Sequence, residues 1–599
     1  MSLPIELSMS SLSHKFPLAL LGLAFVAVHC LIGGGRPVFS LPTFALLGAA
    51  GCATLWIRRS DSIAPSKICL LTTAALFSYL IGRAAIAPVP YLARADLFLM
   101  LGCIVVYLLT VLFFTSHRQR LIIVGLLLAV ALAHTGAAVV QSWIGEEFML
   151  FDFIRAPMGA RASGMFISPN HLAGYLQIAG ALGLSVTCWQ ARKTGWRVFL
   201  GYATAASYVA LLLTQSRGGV LCAAFSLLVW GGLAIHVSYV KNPRSLDRAL
   251  LFGLVGTLLL AGAAAWFISQ HMELRERLAS EFSRDIRVAN WQAALAQFQT
   301  APIFGTGAGT HLYLGRLFRQ PELQLDPIHA HCDYLELLAE YGLIGAIGMA
   351  AFLAAHATSG LRALRRVVRS LRGSVLPDQS GIALLVGALA AFAGLAAHSI
   401  VDFNLHMPAN ALTMAFLFGI LAQPDSAADD PRLARHLFAP AAARRLLPFL
   451  GAGLCLLSFV AWPGEFLSER ARRQLFSDEF LRSATTGAQS IRFDPWNPFT
   501  YFHRGEALRL QAEREEKYAA RQEFRTAADL AYQQGLRIFP QDENLLLRRA
   551  QVLDRLRRFD EAEASYLAAI AADPRLTVLQ DFYRKHRKFR AASEPEPSP

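Results

Sequence analysis

Charge is scarce in this sequence: 16% of its 599 residues are Asp, Glu, Lys or Arg, against 54% hydrophobic. A chain this long with so little charge cannot keep its surface in water as a soluble multidomain protein. Usefully placed cysteine is scarcer still. Seven of the eight cysteines lie in apolar runs, where they act as small hydrophobes, and only Cys332 lies in a polar segment. That excludes a disulfide framework and a CxxC metal site. The net charge is +14, but Lys and Arg fall between apolar runs rather than in one patch, so no nucleic-acid surface is expected. The first apolar run, Phe16 to Gly34, lacks a clear small-residue cleavage pattern and reads as a retained helix. Paired internal repeats with broken helices are also missing, which counts against a transporter.

What is present is a series of apolar runs long enough to cross a ~30 Å hydrocarbon core. They fall at 16–34, 38–57, 68–83, 96–115, 121–143, 171–190, 198–214, 218–240, 249–270, 334–357, 381–401, 408–423 and 446–462. The expected fold is an all-α polytopic membrane protein of 12 to 13 helices. Alternate short loops carry 21 Lys and Arg on one side and about six on the other. The positive-inside rule therefore puts the N-terminus in the cytoplasm. Segments 144–170, 215–217, 271–333 and 402–407 then face outward, as does everything after Trp462.

Five regions follow from this pattern: N-terminal helices at 1–143, a core at 144–423 with its large outer loop at 271–333, a cytoplasmic loop and last span at 424–462, an outer helical region at 463–580, and a polar tail at 581–599 with a disorder-prone composition. In the fourth region Pro495, Pro540 and Pro574 follow predicted helix ends at intervals of 45 and 34 residues. The second interval is the tetratricopeptide period, and Ala550, Phe559, Ala562 and Pro574 resemble its helix-pair pattern. Such a region either recruits a partner protein or caps the structure.

The outer face gathers the unusual polar residues. "RASGMFISPNHLAGY" begins at Arg161; Gly164 and Pro169 signal turns, and Asn170 can cap the helix that follows. "LLLTQSRGGVL" is a hairpin exposing Arg217, which either snorkels to headgroups or serves the outer face. Val288, Trp291, Leu295 and Phe298 recur at helical spacing opposite Arg287, which predicts an amphipathic helix on the membrane or on the protein's own outer surface. "GTGAG" lacks a preceding strand and a following Lys-Ser/Thr, so a tight turn is expected and not a nucleotide loop. In "IHAHCDYLELLAEYGLIG", His329, His331 and Asp333 alternate as metal ligands on a strand would, but the residues after Asp333 are helical and would point His331 and Asp333 apart. No metal site is expected. Asp402, in "HSIVDFNLHMPAN", is either functional or a local cap.

In that order these five motifs, over residues 140 to 423, resemble the O-antigen ligase/polymerase superfamily of bacterial envelope glycosyltransferases. The resemblance implies a GT-C-like membrane enzyme at the periplasmic face of the bacterial inner membrane. Such an enzyme moves a glycan from an undecaprenyl diphosphate carrier to an acceptor hydroxyl, without cofactor or metal. It implies diphosphate-binding roles for Arg217 and Arg287, with Arg161 as a third contact, and a catalytic role for His331. His329, Asp333, Asn170 and Asp402 are supporting residues, with Asp333 or His329 expected to orient His331. Cys332 stands where the family often has Asn. Physical chemistry agrees: guanidinium groups hold a departing diphosphate, and histidine is the natural base for a weak hydroxyl nucleophile. The acceptor can be a lipid A core, another glycan chain or a protein Ser/Thr. The alternatives from other classes are a lipid-linked glycan transporter and a non-catalytic scaffold.

Overall fold

The computed structural model describes residues 6–57, 65–145, 161–190, 194–241, 286–321, 323–324, 328–370, 379–422 and 438–593. Among them the chain is helical throughout, with no strand. Among the described residues eight α-helices lie before residue 242: α1 Glu6–Cys30, α2 Pro37–Ala53, α3 Lys67–Ala85, α4 Pro90–Leu112, α5 His117–Ile144, α6 Pro169–Trp189, α7 Thr194–Leu213 and α8 Arg217–Lys241. The loop contributes α9 Ile286–Thr300 and α10 His311–Leu317. Then come α11 Asp333–Ser370, α12 Gln379–His398, α13 Pro408–Leu421 and α14 Phe438–Phe476. The C-terminal unit is α15 Phe480–Phe493, α16 Pro498–Arg514, α17 Tyr518–Ile538, α18 Glu543–Arg555, α19 Phe559–Ala572 and α20 Thr577–Ser593.

Among the described residues ten helices are long and apolar enough to cross a membrane, and Lys15–Cys30 and Pro408–Leu421 are shorter apolar helices. These coincide with twelve of the thirteen predicted spans; the ninth, 249–270, lies outside the described residues. Helices α2, α4, α6 and α13 each open with proline at the first helical positions, where the missing N–H costs no hydrogen bond and φ is already helical. Helices α2 and α14 cross through glycine: a Cβ on Gly51 would meet the Gly451 Cα at 3.1 Å, so the two pack backbone to backbone there.

Helix α14 has 39 residues. At 1.5 Å per residue it is about 58 Å long, so it leaves the ~30 Å core and continues into the C-terminal unit. Its emergent part is tied to the membrane helices by Arg36–Glu469 (2.9 Å) and by Arg94, which pairs with Glu465 and with Asp494 (2.7 Å). The C-terminal helices stack as antiparallel hairpins and rest on the outer loop. Arg319 in that loop pairs with Asp573 at 2.6 Å with both side chains fully buried, Arg316 pairs with Glu543, and Arg575 donates to the Arg319 carbonyl (2.7 Å). Tyr313 packs edge-on against Phe539 with centroids 5.2 Å apart. The unit is therefore docked on the same end of the bundle as the polar motifs.

Candidate functional site

The polar motifs converge where α6, α8 and α13 begin and α12 ends. Residues 328–332 run as irregular backbone into α11. Two side chains of α9 hold them: Asn290 Nδ2 donates to the His329 carbonyl (3.4 Å) and Trp291 Nε1 to the His331 carbonyl (3.3 Å). His331 has φ +52°, in the left-handed region that residues other than glycine seldom occupy. This backbone strain sits at the centre of the cluster, where strained residues tend to be functional. Just after it, the Asp333 N–H donates to the Ser399 carbonyl (2.9 Å), which joins the start of α11 to the turn after α12.

His331 Nδ1 lies 3.4 Å from Asp402 Oδ1, and its ring stands edge-on to Phe403 with centroids 4.9 Å apart. A third of the His331 side chain is exposed, whereas Asp402 is buried. Burial alone would push the Asp402 carboxyl up, but the hydrogen bond from His331 and the His171 and His398 rings outweigh it, holding the carboxyl below the usual carboxylate range. Asp402 is thus an anion facing Nδ1, and Nε2 of His331 is left for a substrate proton. The expectation that Asp333 or His329 orients His331 is corrected here. Asp333 turns with the helix to His406 (3.1 Å), and His329 pairs with Glu336 (2.7 Å).

His406, which the sequence reading did not single out, lies between two carboxylates, 3.1 Å from Asp333 and 3.4 Å from Glu336. Burial lowers its proton affinity; Glu336 and the hydrogen bond to Asp333 more than reverse this and raise it well above the ordinary value. A group whose folded pKa is raised contributes stability that is complete below the unfolded value, about 6.5, and is lost as pH climbs through the folded value. The wild type is therefore expected to exceed His406→Gln in melting temperature most at pH 6, with a lead that shrinks from about pH 6.5 upward. A lead that is constant from pH 6 to 9 would contradict this. The ligand atoms of His329, Glu336 and His406 lie within 4.8 Å of one another, so these three could hold a metal ion.

The cationic side of the cluster comes from α8 and α9. Arg217 is the first residue of α8, after Gln215 at φ +50°. Next to it, a Cβ on Gly218 would meet Val401 at 2.9 Å and the His398 ring at 3.6 Å, so the hairpin sits directly on the Asp402 turn. Arg287 lies one helical turn before Trp291 and within electrostatic reach of His398. Arg161 is anchored, donating to Asn170 Oδ1 (2.7 Å) and the Thr214 carbonyl (3.0 Å). Asn170 is thereby used as an acceptor, and the cap of α6 is Ser168 instead. Predicted helix α9 forms, but it packs on the protein through Asn290, Ala293, Ala294 and Gln297. The "GTGAG" glycines make the expected tight turn, with Gly305, Gly307 and Gly309 at positive φ. The Glu340 carboxylate accepts from Gly309 N–H (3.1 Å) and His311 N–H (2.8 Å).

Two cavities meet at this cluster. A chamber of about 880 Å³ is lined by His171, His329, His331, Phe403 and His406 on one side and by α14 and α16 on the other. An apolar cavity of about 190 Å³ lies among α3, α4, α11, α12 and α13, with Asp96, Asp333 and Glu340 at its polar end. His331, which lines the chamber, has the chemistry to take a proton there.

No curated protein matches the chain. A family model described as O-Antigen ligase matches residues 201–350, the stretch that holds Arg217, Arg287, His329, His331 and Asp333. Over that stretch, about a quarter of the chain, the protein is similar to the O-antigen ligase family, and the match supports a ligase/polymerase-type membrane function.

Proposed function

We propose that the protein is a glycosyltransferase of the bacterial inner membrane that moves a glycan from undecaprenyl diphosphate to an acceptor hydroxyl at the periplasmic face. One observation carries the reading: a strained, one-third exposed histidine with an anionic aspartate behind Nδ1 lies beside the hairpin that carries Arg217. His331 Nε2 takes the acceptor hydroxyl proton as the oxygen attacks the anomeric carbon. The bond from that carbon to the diphosphate oxygen breaks, and its electron pair leaves with the lipid diphosphate onto Arg217 and Arg287. Asp402 orients the imidazole and stabilises the imidazolium that forms. Arg161, fixed by Asn170 and Thr214, supports the hairpin. One displacement inverts the anomeric centre. His329, Glu336 and His406 already share hydrogen bonds among themselves and Asp333, and no step needs a metal.

The acceptor is a glycan chain or lipid A core, with a protein hydroxyl as the second reading. The outer helical unit, with its tetratricopeptide-like repeat, would serve that second reading if it captures a protein. The test is to reconstitute the purified full chain in proteoliposomes with undecaprenyl diphosphate-linked glycan and an acceptor. Free undecaprenyl diphosphate and glycosylated acceptor are expected in equal amounts. Movement of intact lipid-linked glycan across the bilayer, with no cleavage, would establish a transporter instead.

A further inference from the structure

The wall of the chamber opposite His331 is built by elements outside the matched ligase segment: the mouth of α2, the emergent part of α14, and α16 of the C-terminal unit. On it, Glu469 lies between two guanidinium groups. Arg36 reaches it at 2.9 Å, and Arg472 grips it with two nitrogens at 2.9 and 2.7 Å. Next to them His503 lines the same chamber, and its Nδ1 is buried with no hydrogen-bond partner. Burial, and then the charge of Arg472, lower His503 to about 3, so its ring is neutral and offers one donor and one acceptor. Tyr91 and Phe499, edge-on with centroids 5.7 Å apart, add aromatic surface to the wall.

We infer that this wall is a saccharide-binding subsite, which holds the sugar residues of the acceptor next to the hydroxyl that His331 deprotonates. The inference rests on the proposed transferase reading and adds to it a role for the C-terminal unit. Planar guanidinium and carboxylate groups side by side, an imidazole with both hydrogen-bonding roles, and aromatic carbon surface match the alternating hydroxyls and C–H faces of a sugar ring. A chamber of about 880 Å³ lies in the upper part of the ~300–1,000 Å³ range of ligand cavities. That is room for several sugar residues and too little for a folded protein. Neither Arg217 nor Arg287 lines it, so the donor's diphosphate and the acceptor's sugars occupy different sides of His331. The C-terminal unit thus takes part in binding the acceptor itself.

The test is calorimetric titration of the purified full chain in detergent with oligosaccharides released by mild acid from the host's own envelope polysaccharide. The wild type is expected to bind, and Arg472→Ala and His503→Phe each to weaken binding at least tenfold. Phe499→Leu, which keeps the packing volume, is expected to weaken it several-fold with an unchanged melting temperature. If Arg472→Ala lowers the melting temperature, His503→Phe and Phe499→Leu decide the matter. Wild-type binding that survives in both, or no wild-type binding, would overturn the subsite. Transfer at full rate by a His331 variant would instead overturn the catalytic reading, and the sugar titration would still stand on its own.

Discussion

Replacing His331 with alanine is expected to slow glycan transfer by about two to four powers of ten, the usual contribution of a positioned general base. Binding of the lipid-linked donor should hardly change, because the proposed reading puts its diphosphate on Arg217 and Arg287 and not on His331. One complication is local: His331 has φ +52°, where a left-handed backbone costs an ordinary side chain roughly 1–2 kcal/mol. Alanine therefore removes the imidazole and leaves that strain in place. Asparagine tolerates that conformation and cannot act as a base, so His331→Asn separates the two effects. Both variants should lose transfer, and His331→Asn should keep the wild-type melting temperature. Transfer within threefold of wild type by His331→Asn would remove the histidine from the chemistry.

The second large effect is structural. Arg319 and Asp573 are both fully buried and 2.6 Å apart, joining the outer loop to the C-terminal unit. Taking one partner away leaves a charge buried without compensation, which typically costs about 3–5 kcal/mol. Arg319→Ala is thus expected to lower the apparent melting temperature sharply and open the loop to protease. Because residues 328–331 belong to the same loop, transfer should fall with it. The double variant Arg319→Met/Asp573→Leu should recover most of the loss, since apolar side chains of similar volume fill the gap and no charge remains buried. A single variant as stable as the wild type would mean that the pair does not hold the two parts together.

Much of the membrane architecture was legible because a bilayer imposes a length and a composition that can be counted along the chain. Twelve predicted spans match helices, even though α13 has only 14 residues. The site was legible as motifs and less so as contacts. Spacing placed Asp333 two residues from His331, but the helix that starts at Asp333 turns its carboxylate to His406. The partner of His331 is Asp402, far along the chain on another turn, and no local periodicity connects the two. Asn170 looked like a cap because it follows a proline, yet Ser168 caps the helix and Asn170 accepts from Arg161. His406 and Glu336 were missed, although "HSIVDFNLHMPAN" advertised titratable groups at a helix mouth. The docking of the C-terminal unit was least visible. Arg316 and Arg319 carried no distinctive signal, because the 271–333 segment also holds Arg275, Arg277, Arg284 and Arg287.

The most direct test of the account is the transfer rate of reconstituted His331→Ala protein in the presence and absence of added imidazole. If His331 is the base, free imidazole entering the chamber should restore part of the lost rate, in proportion to its concentration, without affecting the wild type. A His331→Ala protein that transfers glycan at the wild-type rate with no imidazole present would contradict it.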